Sequence, residues 1–313
     1  MAELRSPLQS PWHDGERTIH QRLGVGDRME ETGQRVVRPY MPDQHRSFFA
    51  QLPFIVVGSN DRAGQIWASL LTGAPGFVTS PDPRRLEIAA TASSGDPLAE
   101  MLQPGVPLGV LGIELPTRRR NRVNGPLVSA DASGFAIAVE QSFGNCPKYI
   151  MRRDALVSEV AKASKVEPLS TLDRGSIGMI SEAATFFVAS SAGPTAATDV
   201  SHRGGQPGFV VVGADGAITV PDYAGNLFFN TLGNFLVNPR AGLIFPNFTT
   251  GDMLQLTGAT EIVWEGPEVT AMPGAQRAWR LRPEAGQWLR GALPLRFAAG
   301  EISPFSPAVV KTT

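Results

Sequence analysis

The sequence contains few of the residues that build covalent cross-links or metal sites. Cys146 is the only cysteine among 313 residues, which excludes an internal disulfide and any zinc or iron–sulfur site that needs several thiolates. The four histidines are scattered along the chain and show neither HxH nor HExxH spacing. We therefore expect no metal site.

Excess charge and long apolar runs are also absent. The formal net charge is −1, whereas proteins that bind nucleic acid usually carry a basic excess. No segment approaches the roughly 18 consecutive apolar residues of a membrane-spanning helix. The N-terminal segment lacks the apolar region of a secretory signal. These absences predict a cytoplasmic protein with no nucleic-acid or membrane partner.

The composition favours a folded chain rich in turns. Hydrophobic residues make up 42% and charged residues 18%, which excludes a disordered chain of low hydrophobicity and high charge. Glycine and proline account for 59 of the 313 residues, and so many turn formers argue against a helical bundle. A chain of this length is expected to form about two domains.

A long internal repeat is the strongest organising signal. The segment Phe54–Val78 recurs 132 residues later as Phe186–Val210. Without a gap, nine of the 25 aligned positions are identical, among them Ser69 with Ser201 and the Pro-Gly-Phe-Val that ends both segments. A repeat of this kind indicates a duplicated structural unit.

Each copy has the pattern of a small β-barrel. Six or seven short strands, separated by Gly, Pro, Asn and Asp turns, favour closure because a closed barrel has no exposed strand edges. The expected fold is mainly β (α+β), with tandem duplicated barrels and flanking helices. The predicted strands are Phe54–Gly58, Ile66–Leu71, Gly76–Thr79, Arg85–Ala89, Pro107–Glu114, Asn121–Ser129 and Gly134–Gln141 in copy one, and Ala184–Ser191, Ala197–His202, Gly208–Val212, Asn226–Asn230, Ala241–Asn247 and Met253–Trp264 in copy two.

Helices are predicted outside the barrels from capping residues and apolar spacing. The predicted helices are 27–37, 42–51, Arg153–Ser164, Asp173–Ala184 and Arg277–Gly291. The chain is accordingly divided into an N-terminal helical extension (1–44), a first barrel (45–150), a helical connector (151–185), a second barrel (186–265) and a C-terminal helix and tail (266–313).

The two copies differ most informatively where their second strand ends. Copy one has SLLTG at 69–73, and copy two has SHRGG at 201–205. Arginine presents a planar fork of donors to a phosphate, and glycines let backbone N–H groups approach an anion closely. An ordinary polar strand end with a glycine-rich turn explains the same residues, so both interpretations stay open.

A second polar cluster follows in copy two, around Asn230, Thr231 and Asn234. Amide and hydroxyl groups that follow an apolar stretch can bind a phosphate, a polyhydroxyl chain or a ring edge. Asn and Thr are equally common as turn formers and helix caps. The cluster alone does not decide between these roles.

Copy one offers candidates of a different kind. Cys146 lies beside Lys148 and Tyr149, and a thiol near cations can become a nucleophile. A free cysteine is more often a small buried apolar residue. The basic run Arg118–Arg122 is either a solvated loop or the source of an arginine that reaches an anionic ligand in copy two, and Arg122 is the candidate within it.

Three segments and the repeat together resemble one known family. DVSHRGGQPGFV (199–210), PDYAGNLFFNTLGNFLVNPRAGLIF (221–245) and QSFGNCPKYI (141–150) are similar to the pyridoxamine 5′-phosphate oxidase-related proteins, the FMN-binding split-barrel family. The resemblance extends over roughly residues 12–300. It implies split barrels that bind FMN at an interface between two barrels, and it implies a homodimer. Because one chain contains two barrels, the site can form inside one chain or between two chains.

The resemblance also implies a set of cofactor ligands. Ser201 and Arg203 correspond to the strand that faces the flavin and its phosphate, and strand alternation points His202 the other way. The oxidase has a basic Arg-Lys pair where this chain has Gly233 and Asn234, so pyridoxamine phosphate oxidation is not predicted. With Arg122 from the basic run, the predicted cofactor-binding residues are Ser201, His202, Arg203, Gly204, Asn230, Thr231, Asn234 and Arg122.

These observations predict an FMN-binding flavoprotein, an oxidoreductase that acts on a small molecule or takes electrons from a nicotinamide donor. The alternative is a non-catalytic carrier or sensor that binds flavin or haem. A third hypothesis is a thiol enzyme that uses Cys146. No catalytic acid or base stands out, and the weak catalytic candidates are Cys146, Lys148 and Tyr149.

Overall fold

The computed structural model describes residues 10–155, 165–193 and 195–309. No helix in these ranges is long and apolar enough to cross a bilayer. The helices are α1 (Asp14–Arg22), α2 (Gly26–Val36), α3 (Asp43–Ala50), α4 (Leu98–Met101), α5 (Arg174–Glu182), α6 (Asn230–Val237) and α7 (Pro267–Thr270).

Helices α2, α3 and α5 confirm three of the predicted helices. At the start of α5, the Asp173 carboxylate accepts a hydrogen bond from the Ser176 backbone N–H at 2.7 Å, so Asp173 is the expected N-cap. Helix α1 was not predicted; its capping box joins His13 and Glu16 in an otherwise polar segment.

Each copy forms an eight-stranded antiparallel sheet. The first contains β1 (Phe54–Asn60), β2 (Ile66–Thr72), β3 (Val78–Thr79), β4 (Arg85–Ile88), β5 (Pro107–Glu114), β6 (Arg119–Asp131), β7 (Gly134–Ala138) and β8 (Gln141–Gly144). The second contains β9 (Lys165–Leu169), β10 (Thr185–Ser191), β11 (Thr198–Gly204), β12 (Val211–Val212), β13 (Ile218–Tyr223), β14 (Arg240–Pro246), β15 (Met253–Val263) and β16 (Ala275–Arg290).

The two sheets repeat one strand order. The first runs β2-β1-β5-β6-β7-β4-β3 and the second runs β11-β10-β14-β15-β16-β13-β12. This order matches β1 with β10, β2 with β11, β5 with β14 and β6 with β15. The expectation of a mainly β chain of tandem duplicated split barrels is confirmed.

Strands β1 and β10 are buried on both faces. Along β1, Ile55 and Val57 pack inside the first barrel, while Phe54 and Val56 pack in a core that the two copies share. Strand β10 divides its side chains between the second barrel and the shared core in the same way. Burial of both faces explains why these strands are almost continuously apolar and do not alternate.

The copies meet backbone to backbone at two glycines. A Cβ on Gly109 of β5 would lie 2.2 Å from the Thr198 carbonyl oxygen, and a Cβ on Gly242 of β14 would lie 2.4 Å from the Ile66 carbonyl oxygen. Only glycine permits either approach. The two contacts are equivalent: exchanging copy one and copy two converts one contact into the other. The barrels therefore pack with approximate internal two-fold symmetry.

Strand pairing corrects the ungapped repeat by one residue. Val57 pairs with Ser69 in copy one, and Val188 pairs with Ser201 in copy two. The first strands therefore correspond at an offset of 131 residues and the second strands at 132. The hairpin of copy two contains one additional residue, and the apparent match of Phe54 with Phe186 is out of register.

The predicted C-terminal helix at Arg277–Gly291 is wrong. The segment lies in strand β16, which pairs with β9, β13 and β15. Trp279 and Leu281 are buried between the more exposed Arg280 and Arg282, a two-residue period that the helical interpretation missed. With β9 and β16, the second sheet extends beyond the expected boundaries at 186 and 265.

Two further elements differ from the predictions. The segment Asn226–Asn230 is not a strand; it is a loop that leads into α6, because Leu227 and Phe229 have left-handed backbone angles of φ 65° and 57°. The predicted helix Arg153–Ser164 lies mostly at 156–164, outside the described residues. Ala155, at its start, forms an isolated bridge with Phe297.

The space around two glycines predicts opposite effects of their substitution by alanine. Gly109→Ala should lower the free energy of unfolding by about 1–3 kcal/mol, because the new methyl group meets the Thr198 backbone. Gly178→Ala, in α5 with nothing within 4 Å, should raise it by about 0.5–1 kcal/mol. Urea denaturation measures both values. A Gly109→Ala protein as stable as the parent contradicts this packing.

Candidate functional site

A cleft of about 890 Å³, measured to its open mouth, lies between the two copies. Copy one contributes β6 and the segment after β8, and copy two contributes β11, the end of β13 and the start of α6. The predicted residues that line it are Arg122, Cys146, Lys148, Tyr149, Ser201, His202, Arg203, Gly204, Asn230 and Thr231.

A buried ion pair forms the inner end of the cleft. Arg122 of β6 donates from Nη1 to Asp199 Oδ1 of β11 at 3.0 Å, and their side chains are only 4% and 7% exposed. The pair joins the two copies. Because Asp199 compensates the Arg122 charge, this end of the cleft is close to neutral.

The predicted polar cluster surrounds this ion pair. Arg122 also donates to Ser201 Oγ at 2.8 Å and to Asn230 Oδ1 at 2.9 Å. The Thr231 hydroxyl donates to Ser201 Oγ at 2.9 Å. These side chains therefore form one connected polar network, in which Arg122 Nε is left without a hydrogen-bond partner among the described residues.

Asn234 is the predicted cofactor ligand that does not line the cleft. It is fully buried behind it, and its amide donates to Ser190 Oγ at 3.0 Å and to Asp199 Oδ2 at 3.1 Å. Asn124 donates to the other carboxylate oxygen of Asp199 at 2.8 Å. Asn234 thus holds the counter-ion of Arg122 in place and cannot itself contact a ligand in the cleft.

Helix α1 closes the network from outside both barrels. The Glu16 carboxylate accepts hydrogen bonds from the Asn230 amide and from the His13 backbone N–H. Burial, and then the charge of Asp199, raise the pKa of Glu16 well above its usual value. Gly15 and Gly233 permit this contact, since a Cβ on Gly15 would lie 2.0 Å from the Gly233 carbonyl oxygen.

Two further arginines line the cleft without an acidic partner. Arg120 Nη1 and Arg203 Nη1 approach the same acceptor, the His202 carbonyl oxygen, at 3.4 and 3.2 Å. Neither forms an ion pair with any described residue, and Arg203 Nε has no hydrogen-bond partner among them. Burial lowers the pKa of Arg203, and the charge of Asp222 opposes that shift. Arg120 Nε donates to the Cys146 carbonyl oxygen at 2.8 Å. Burial, and then repulsion from Arg122 and Arg203, lower the pKa of Arg120 to about 9. The two guanidinium groups therefore disfavour each other's charge.

Positive charge exceeds negative charge along the lining. Among the described residues, the charged side chains of the lining are four cations, Arg120, Arg122, Lys148 and Arg203, and one carboxylate, Asp222. Asp222 is itself engaged by Arg277, 3.4 Å away. Burial raises the pKa of Asp222, although Arg203 and Arg277 oppose the shift. The cleft is suited to an anionic ligand.

One wall of the cleft is aromatic. The rings of Tyr149 and Tyr223 lie 5.0 Å apart between centroids, and the Tyr149 hydroxyl donates to the Ala224 carbonyl oxygen at 2.8 Å. Burial raises the pKa of Tyr223 to about 12, so its phenol stays neutral. Four described non-glycine residues have left-handed backbone angles, and three of them line the cleft: Tyr149, Leu227 and Phe229. Strained backbone of this kind concentrates at functional sites.

His202 packs away from the polar network. Its ring lies 5.6 Å from the Phe187 ring, edge to face, and Nε2 is 3.5 Å from the Thr185 hydroxyl. Burial and the nearby Arg120 and Arg203 charges lower its pKa well below the usual value. His202 is therefore neutral and contributes its backbone carbonyl to the arginine pair.

The sequence contains a signal that predicts Arg120 as a lining residue. Arg120 and Arg122 are two residues apart on β6, so strand alternation places both on one face. The prediction from the basic run named Arg122 alone, although Arg120 shares its strand face. Asp222 and Tyr223 were missed for another reason: their strand, β13, was not predicted. Only the fold brings them opposite Arg203 and Tyr149.

No family model and no curated protein sequence matches the chain. Several solved structures are weakly similar. HupZ from Group A Streptococcus has 13% identity and a TM-score of 0.33, covering 40% of this chain and 98% of its own. HutZ, the heme storage protein from Vibrio cholerae, has 16% identity and a TM-score of 0.28, covering 39% and 96%. The inhibitor of motility MotI from Bacillus subtilis has 10% identity and a TM-score of 0.22, covering 75% and 87%. Likenesses this weak carry no functional argument.

The inter-copy ion pair predicts a large effect of Asp199→Ala. The substitution leaves Arg122 charged and buried without a counter-ion, so the free energy of unfolding should fall by about 3–5 kcal/mol. The matched control is Arg282→Ala, which removes the exposed ion pair with Asp215 and should change stability only slightly. Equal effects of the two substitutions in urea denaturation contradict the assignment.

Proposed function

We propose that the cleft binds FMN, an anionic cofactor with a planar ring. The observation that carries this proposal is the pair Arg120 and Arg203, two half-buried guanidinium groups that share one carbonyl oxygen and form no ion pair with the described residues. Burying two like charges together is unfavourable unless an anion compensates them. A phosphate suits guanidinium donors in both charge and geometry.

The residues present fit such a group. Arg120 and Arg203 would hold the phosphate, and the unpartnered Arg203 Nε is one donor available for it. Tyr149 and Tyr223 offer an apolar surface for the ring. When bound, FMN supplies hydride or one-electron transfer, and the chain's own part is to bind, orient and shield it.

This assignment differs from the one that the family resemblance implied. Ser201, Asn230 and Thr231 already bond to one another and to Arg122, and Asp199 behind them would repel a phosphate. We therefore assign the phosphate to the arginine pair and regard the Ser201 network as the neutral wall beside it. Both copies contribute to the cleft, so one chain suffices to build it.

The proposed activity is oxidoreduction of a small molecule or a nicotinamide donor. Asp222 and Cys146 are lining groups able to hold a proton, and neither is hydrogen-bonded to a second side chain as a nucleophile–base pair would be. The chain therefore leaves the chemistry to the cofactor. Consumption of NADH or NADPH by the loaded protein supports an enzyme, and a loaded protein that consumes neither is a flavin carrier or sensor.

Haem binding is the second candidate. Cys146 and Tyr149 line the same cationic cleft, and thiolates and phenolates are axial ligands of haem iron. The His202 ring is packed against Phe187 and is not available for this role. The absorption spectrum of the freshly purified protein separates the two cofactors. A flavin spectrum with released FMN supports the proposal, and a Soret band supports haem.

Removal of one guanidinium should weaken FMN binding strongly. A hydrogen bond to a charged group contributes about 1.5–3 kcal/mol, so we expect Arg203→Ala to raise the Kd about tenfold to a hundredfold. The matched control is Arg62→Ala, an exposed loop arginine remote from the cleft, which should leave the Kd unchanged. Fluorescence titration with FMN measures both. Unchanged affinity in Arg203→Ala overturns the phosphate assignment.

A further inference from the structure

The internal symmetry defines a second position equivalent to the cleft. Gly109 and Gly242 are equivalent in the two copies, so the residues of β6 and β15 that pair with them are equivalent too. Counting along each strand from that paired residue, Arg122 on β6 corresponds to Gln255 on β15. Strand β2 likewise corresponds to β11, which matches Ser69 with Ser201. At the second position, Met253 replaces Arg120, Gln255 replaces Arg122 and Leu71 replaces Arg203. That position therefore has none of the three cations.

A carboxylate of the chain itself occupies the second position. Ser69 Oγ donates to Asp96 Oδ1 at 2.5 Å, and Gln255 Nε2 donates to Asp96 Oδ2 at 3.0 Å. The Leu98 backbone N–H donates to Oδ1 at 3.0 Å. Asp96 is only 2% exposed and forms no ion pair with any described cation. Three neutral donors from both copies thus surround one anionic group.

The same element of each copy fills the two positions differently. Helix α4 and the Asp96 that precedes it lie between β4 and β5, and α6 lies between the equivalent strands β13 and β14. In copy two this element gives Ser201 the neutral Thr231 hydroxyl and gives Arg122 the Asn230 amide oxygen. In copy one it gives Ser69 and Gln255 the Asp96 carboxylate. One copy therefore leaves room for a foreign anion beside its arginines, and the other supplies its own.

We propose that Asp96 is a built-in anion that occupies the second inter-copy position, so that each chain binds one anionic ligand and the second position serves to lock the copies together. The claim that each chain binds one anionic ligand rests on the proposed function. The claim that Asp96 locks the two copies together does not. Burial raises the pKa of Asp96 to about 6, although the hydrogen bonds from Ser69, Leu98 and Gln255 oppose the shift, so above that pH the group is mainly a carboxylate. Because the folded-state pKa is raised, ionisation makes this contact less stabilising above that pH than below it. A carboxylate without a nearby cation repels a phosphate, and this closes the second position to FMN.

Rescue by a small carboxylate tests the lock without reference to FMN. In Asp96→Ala, the three donors lose their acceptor, and the melting temperature of the full chain should fall by several degrees. Sodium formate should restore much of that loss, and sodium chloride of equal ionic strength should not. The matched control is Asp215→Ala, an exposed carboxylate, which should show no specific response to formate. Equal responses to formate and chloride in Asp96→Ala overturn the proposal.

A second variant keeps the lock testable if Asp96→Ala does not fold. Asp96→Asn keeps the size but turns an NH₂ group towards one donor, so it should be less stable than the parent at pH 8 and insensitive to formate. An Asn variant more stable than the parent overturns the proposal.

Calorimetry of the wild-type chain tests the stoichiometry and should give one FMN per chain. A value of two FMN per chain contradicts the proposal. Absence of FMN binding overturns the proposed function, while formate rescue still decides the lock.

Discussion

The buried ion pair between Arg122 and Asp199 is the constraint on which the rest of the site depends. The arginine comes from the first barrel and the carboxylate from the second, and burial of either charge without the other is strongly unfavourable. Their contact fixes how the two barrels meet beside the shared apolar core. It also decides which cations of the cleft are already compensated and which are not.

This distribution of compensated and uncompensated cations makes the two equivalent inter-copy positions different, although the chain is nearly symmetric. Arg122 is neutralised by an ion pair within the chain, whereas Arg120 and Arg203 form no ion pair with the described residues. On the opposite side of the internal two-fold, apolar and amide residues replace the arginines, and Asp96 supplies the negative charge. Duplication thus gives two equivalent positions, and a few charge substitutions make one a ligand site and the other a structural contact.

The sequence predicted the duplication, the barrels and most of the cleft because these leave local signals: a repeat, short apolar strands and a change from Leu to Arg between copies. It could not predict that Asn234 faces Asp199, since that depends on how α6 packs. It also missed β16, because Trp279, Trp288 and Leu289 were assigned to one helix face although Trp279 and Leu281 alternate with arginines as in a strand. Pairings between distant segments, such as Arg122 with Asp199 or Asp96 with Gln255, have no local signal at all.

The most direct test of the account compares FMN with riboflavin, which has the same ring and lacks the phosphate. If the Arg120 and Arg203 pair exists to bind a phosphate, calorimetry should show FMN binding at least about tenfold more tightly, with an advantage that declines as salt is added. Equal affinity for the two compounds, or no affinity for either, contradicts the claim that this cleft is a phosphate-dependent flavin site.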